Sequence, residues 1–167
     1  MILVYALSNQ WATNISRRTL SELQKLLKSD DILFLPIIRW PRPFFHKYID
    51  RSHYSLIIGL GDGTKFSNKI HIETQAKNAY YDQSIYPFSP IFLDLNLPNV
   101  DIYDPNFFQI SSNMGTHNCN WMAYSTQLYL NQHSSDTLHL FLHLPPGSNA
   151  AILAQKIFEL IKNNNIF

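Results

Sequence analysis

A single cysteine, Cys119, occurs in 167 residues. No disulfide can form within the chain, which suits a reducing compartment and sets the expectation of a cytoplasmic protein. Charge of one sign is scarce too: 13 Lys and Arg against 12 Asp and Glu leave a formal net charge of +1. No basic excess marks a nucleic-acid surface, and no acidic excess marks a charged tail. No apolar run is long enough to span a bilayer, so no membrane partner is expected. The seven histidines are scattered without metal-ligand spacing. Internal repeats, linkers and heptads are absent.

What is present is a globular composition. Hydrophobic residues make up 46% of the chain, enough for one core in a single domain spanning residues 1–167. Ile2–Leu7 reads as a buried first strand rather than a signal peptide, because it lacks a basic flank and ends in Ser8-Asn9-Gln10. Leu20, Leu23, Leu26 and Leu27 recur at helical spacing between Arg17 and Ser29. Further strands are expected over Asp31–Ile38 (interrupted at Pro36), Tyr54–Gly59, Lys69–Asn78, Ile91–Leu95, Phe107–Ser112 and Thr137–Leu144. Helices are expected over Phe44–Arg51, Asn120–Gln132 and Asn149–Lys162. The glycines of Gly59-Leu60-Gly61-Asp62-Gly63 read as a turn, and Asn163–Asn165 as a frayed end. Alternating strands and helices predict an α/β fold, with a sheet covered on both faces.

Three residues carry chemistry. Cys119 lies where Met114-Gly115-Thr116-His117-Asn118 meets a predicted helix. A helix start lends positive partial charge to a thiolate, and its free N–H groups could form an oxyanion hole. Thr116 or Asn118 could cap that helix. In the strand Thr137–Leu144 the alternation turns His139, Phe141 and His143 to one side and four leucines to the other. His143 stands at the strand's C-terminal end, where sites of open α/β sheets gather, and His139 competes with it. Glu73 is a carboxylate in an otherwise neutral stretch and suits the third, orienting role of a triad. Taken singly, each has a plain structural alternative: a buried thiol, a strand-end histidine, a solvated acid. Trp40, Phe44, Phe45 and Tyr48 read as core or interface.

Segments in a fixed order sharpen this reading. Gly115-Thr116-His117-Asn118-Cys119-Asn120, with Tyr124, resembles the nucleophile motif of the pyroglutamyl peptidase I family, S-A-G-T-Y-V-C-N-x-x-x-Y. Phe141-Leu142-His143-Leu144-Pro145 resembles its F-I-H-[VI]-P strand, and Glu73-Thr74-Gln75-Ala76-Lys77-Asn78 its E-R-x-A-x-N segment. Ile57-Ile58-Gly59-Leu60 with Gly63 is similar to its I-x-x-G-Q-x-G-G, and Phe45-His46-Lys47 to a short F-H-K motif. The resemblance implies a three-layer α/β/α sandwich with a mixed, mostly parallel sheet. It implies Cys119 as nucleophile, His143 as general base and acid, and Glu73 as partner of His143. It also implies a peptide or small-amide substrate, no metal or organic cofactor, and in many members a homo-oligomer.

The departures concern the substrate pocket. Leu7, Gln10 and Trp11 stand where the family has G-F-x-P-F-G, whose phenylalanines help form the pyroglutamyl pocket. Leu60 replaces a glutamine whose amide could bond the lactam. Asn78 ends the acid-bearing segment and completes the expected substrate-binding set. The family's arginine after that segment has no match, and Gln83 falls near its place. The expectation is therefore kept catalytic machinery with an altered pocket: a cysteine peptidase or amidase. The alternative is a catalytically silent relative acting as a binding or scaffold protein.

Overall fold

The computed structural model describes residues 1–38, 40–63 and 68–166. Eight strands and four helices follow one another along them: β1 (Ile2–Ser8), α1 (Ile15–Leu26), β2 (Ile32–Ile38), α2 (Pro41–Tyr48), β3 (Leu56–Asp62), β4 (Ile70–Glu73), β5 (Gln75–Lys77), β6 (Phe92–Asp94), β7 (Phe108–Ser111), α3 (Asn118–Gln132), β8 (Leu138–Leu144) and α4 (Ala150–Asn163), with β3 to β7 in succession. Six strands form one sheet in the order β2-β1-β3-β8-β4-β7, while β5 and β6 pair separately. The β2-β1-β3-β8 run is parallel, β4 is antiparallel to β8, and β7 is parallel to β4. This is the expected α/β architecture with a mostly parallel sheet.

Two cores follow from strand alternation. Val4, Ile58, Leu60, Leu140, Leu142 and Leu144 face one side, where Leu20 and Leu23 of α1 and Leu153, Ile157 and Ile161 of α4 cover them. Leu3, Tyr5, Ile57 and Phe141 face the other, under Phe44 and Phe45 of α2 and Trp121, Met122 and Tyr124 of α3. Each fully buried large aliphatic side chain contributes about 1.5–3 kcal/mol, so alternation of this kind fixes the register firmly.

The structure corrects several boundaries. β2 runs through Pro36, which pairs with Ala6; β2 is an edge strand, so one side of its backbone needs no ladder donors. The expected turn at 59–63 is largely strand: β3 continues to Asp62. Glycine is needed there because Tyr5, Phe141 and Cys119 lie against Gly59 and Gly61. α2 starts earlier than expected, at Pro41, whose fixed φ suits a first helical position. Ile152 points outward from α4, whose buried face is Leu153, Ala154, Ile157, Leu160 and Ile161. The asparagine tail is anchored rather than frayed. Asn164 Oδ1 accepts from Ile102 N at 2.9 Å, and its Nδ2 donates to Ile102 O at 2.7 Å. Among the described residues no helix is long and apolar enough to cross a membrane.

Candidate active site

Cys119 sits in the first turn of α3, half-buried. The residue before the helix is His117, in extended conformation, and no side chain caps the helix. Neither expected cap acts as one. Thr116 gives its carbonyl to Tyr81 N at 2.7 Å, and Asn118 Oδ1 accepts from the Tyr80 hydroxyl at 2.9 Å. The leading N–H groups of α3 thus have no side-chain acceptor at the sulfur's end of the helix. Gly115 holds φ at +76°, a backbone geometry that favours glycine, and this turns the chain into α3. Beneath the thiol lies Gly61 of β3: a Cβ there would fall 2.6 Å from Cys119 Sγ.

His143 comes to this thiol from the C-terminal end of β8. Its Nδ1 lies 2.7 Å from Glu73 Oε1, which leaves Nε2 for Cys119. Glu73 is fully buried at the end of β4, not a solvated acid. Burial pushes the His143 imidazolium down. Hydrogen bonds to Cys119 and Glu73, and the negative charges of both, outweigh that and raise its pKa to about 10. His139 is a different case. It is fully buried, burial alone takes it down to about 3, and its Nδ1 meets Gln127 Oε1 at 3.2 Å. It is a neutral core residue away from the thiol.

The thiol, imidazole and carboxylate open onto a cavity of about 500 Å³. Asp62, His71, Ser111, Asn113 and His117 border it as well. Asp62 is occupied structurally, accepting from Ser16 N at 3.0 Å and Ser16 Oγ at 2.8 Å at the start of α1. Among the described residues no group of three or more His, Cys, Asp and Glu side chains is arranged to hold a metal ion.

The expected substrate-binding residues do not gather in this cavity. Leu7 is half-buried against the α2/α3 core, and its carbonyl accepts from Asn14 Nδ2. Gln10 and Trp11 lie in an exposed turn, where Asn9 Oδ1 accepts from Trp11 N and Thr13 N; Trp11 is 72% exposed. Leu60 is fully buried in the α1/α4 core, because alternation along β3 turns it away from the face that carries Gly61 and Cys119. Asn78 spends its amide on its own loop. Nδ2 donates to Tyr86 O (2.8 Å) and Ser89 O (3.2 Å), and Oδ1 accepts from Tyr86 N (3.0 Å). Gln83 is exposed in a turn closed by paired backbone bonds with Tyr80.

Sequence reasoning matched Asn120 to a motif without giving it a role, and missed His71. Asn120 is fully buried; its Nδ2 donates to Lys77 O and Ala79 O, and its Oδ1 accepts from Lys77 N. It ties the start of α3 to β5, and its place beside Cys119 was the available signal. His71 stands two residues before Glu73 on the same face of β4, and the period of two was its signal.

The class this fold defines is an α/β sandwich, with imidazole and carboxylate at strand ends and a thiol at a helix start. Its structural likeness is to the pyrrolidone carboxyl peptidases. Pyroglutamyl peptidase I from Bacillus amyloliquefaciens superimposes with a TM-score of 0.82 at 15% identity, over 99% of this chain and 95% of that one. Pyrrolidone carboxyl peptidase from Fervidobacterium islandicum gives 0.78 at 17%, over 99% and 98%. The Thermococcus litoralis enzyme gives 0.77 at 14%, over 99% and 93%. The chain has the fold of these peptidases across nearly its whole length. In sequence, no family model and no curated protein matches it.

Proposed function

We propose that the chain is a cysteine-type hydrolase of small amides, cleaving an N-terminal pyroglutamyl or related small acyl group from peptides. One observation carries the reading: His143 stands between Cys119, at the start of an uncapped helix, and the buried Glu73, whose Oε1 lies 2.7 Å from His143 Nδ1. In the proposed cycle the Cys119 sulfur attacks the substrate carbonyl carbon. The carbonyl electron pair moves to oxygen, facing the leading N–H groups of α3. His143 gives its Nε2 proton to the leaving nitrogen, the C–N bond breaks, and a thioester remains. Water then attacks the thioester, giving its proton to His143, and the C–S bond breaks to release the acid. Glu73 holds the imidazole and offsets its charge throughout. The cavity beside the thiol is bordered by Asp62, His71, Ser111, Asn113 and His117, while Leu7, Gln10, Trp11, Leu60 and Asn78 lie outside that lining.

Release of a fluorophore from a pyroglutamyl amide tests the reading, with Cys119→Ala run beside it. Turnover that disappears in the variant supports it. Turnover equal in both proteins overturns Cys119 as the nucleophile. The silent-relative reading gains from the exposure of Trp11 and from the inward-facing Leu60. Lack of turnover on a panel of acyl amides, together with a Cys119 that iodoacetamide does not alkylate at neutral pH, would establish it.

A further inference from the structure

Two imidazoles converge on one carboxylate. His71 and His143 are directly opposed in the antiparallel β4–β8 ladder. His143 Nδ1 lies 2.7 Å and His71 Nδ1 3.9 Å from the same Glu73 Oε1. On its other side His71 pairs with Gln109 of β7, whose Nε2 is 3.0 Å from His71 Nε2. An amide nitrogen can only donate, so His71 Nε2 accepts and the ring proton sits on Nδ1, facing Glu73. The acid has use for that proton. Glu73 Oε2 is buried with no hydrogen-bond partner among the described residues. A buried carboxylate with one bonded oxygen is under-satisfied; the His71 N–H points at the bonded oxygen, Oε1, and leaves Oε2 unbonded, but its dipole lowers the cost of keeping the group charged. Burial holds the His71 pKa below its ordinary value, against the pull of Glu73 and with the repulsion of His143. The ring therefore faces Glu73 as a neutral donor at neutral pH and adds no second cation beside His143.

We infer that His71 is a positioning residue: its Nδ1–H, fixed in that tautomer by Gln109, keeps the Glu73 carboxylate in register with His143. At 3.9 Å the contact acts as charge and dipole rather than as a formed hydrogen bond. The inference rests on the Cys119–His143–Glu73 reading but is tested without any substrate. Proton–nitrogen correlation spectra of the labelled protein should show His71 protonated at Nδ1 and bare at Nε2 at neutral pH. The opposite tautomer overturns the inference. In His71→Asn an amide N–H can take the place of Nδ1–H, whereas His71→Leu removes it. Alkylation of Cys119 by iodoacetamide should slow about threefold in His71→Leu, less than the loss of a formed hydrogen bond to a charged group would give, with its pH profile displaced. His71→Asn should recover most of the rate. Equal rates and pH profiles in His71→Leu and the unaltered protein overturn the proposal; if His71→Leu does not fold, the tautomer decides. Failure to cleave any amide, with the tautomer and alkylation results as expected, counts against the hydrolase reading alone.

Discussion

Gly61→Ala separates reactivity from stability. The added methyl would sit 2.6 Å from Cys119 Sγ, 3.1 Å from His143 Cδ2 and 3.2 Å from Phe141 Cε1. Non-bonded heavy atoms settle at about 3.5–4.0 Å, so the sulfur must retreat by about 1 Å. A displacement of that size at a reacting atom costs about 10²-fold in rate. Overpacking costs about 1–3 kcal/mol of stability in addition. Gly59→Ala is the matched control. Its methyl meets Phe141 Cδ2 at 2.5 Å and the Tyr5 hydroxyl at 2.6 Å, but the sulfur is not among its nearest neighbours. Both variants should melt earlier, and only Gly61→Ala should lose iodoacetamide reactivity and turnover when measured well below its melting temperature. A folded Gly61→Ala protein that alkylates at the unaltered rate would falsify the placement of the thiol over β3.

His143 also sets a pH dependence of stability. Its pKa rises from 6.5 in the unfolded chain to about 10 in the fold. The stabilisation is therefore complete below about pH 6.5 and lost as pH climbs through about 10. Urea midpoints should fall between pH 7 and 10 in the unaltered protein and much less in His143→Gln; parallel curves would contradict the ion cluster. His143→Ala should lower any turnover about 10²–10⁴-fold, the usual contribution of a general acid–base group, as steady-state kinetics would report. Asn120→Ala should destabilise by about 1–3 kcal/mol, since it takes the Asn120 partner from Lys77 N and Ala79 O and one of two donors from Lys77 O; chemical denaturation checks this, and an unchanged midpoint refutes it. Leu60→Gln should not create lactam recognition. It should place an amide in the α1/α4 core and cost about 1–3 kcal/mol, so improved pyroglutamyl turnover in that variant would show that β3 is misregistered.

Legibility followed periodicity. In Thr137–Leu144 the period of two separated His139, Phe141 and His143 from four leucines, and the structure keeps that division. What the period does not give is depth along the strand. His139 and His143 share a face, yet one is enclosed by α3 and Gln127 while the other reaches the strand end at the uncapped start of that helix. Leu60 shows the converse. A motif alignment put it in the pocket, although its own strand alternation with Gly59 and Gly61 already turned it to the other face. The glycines of β3 read as a turn because local propensity cannot register a tertiary contact; their small size serves Phe141, Tyr5 and Cys119 from distant parts of the chain. Pairing partners were hidden for the same reason, and so was the convergence of His71 and His143 on Glu73.

The sheet itself explains how a fold of this kind can hold its chemistry while its pocket drifts. Glu73 and His143 stand on adjacent antiparallel strands, and Cys119 on a helix start clamped to β5 by Asn120. All three positions are fixed by buried ladders and by two cores, so they need only the right alternation and a few small or polar residues, not a particular sequence. That is consistent with a TM-score of 0.82 at 15% identity. Residues 9–13 and 79–91 are held differently. They are turns stapled by their own asparagines, Asn9 and Asn78, whose bonds are mostly to nearby backbone. A staple fixes a loop's ends and leaves its exposed side chains free to change. Substitutions at Trp11, Tyr81 or Gln83 therefore cost the core little, whereas substitutions at Gly61, Glu73 or Asn120 are felt through the sheet.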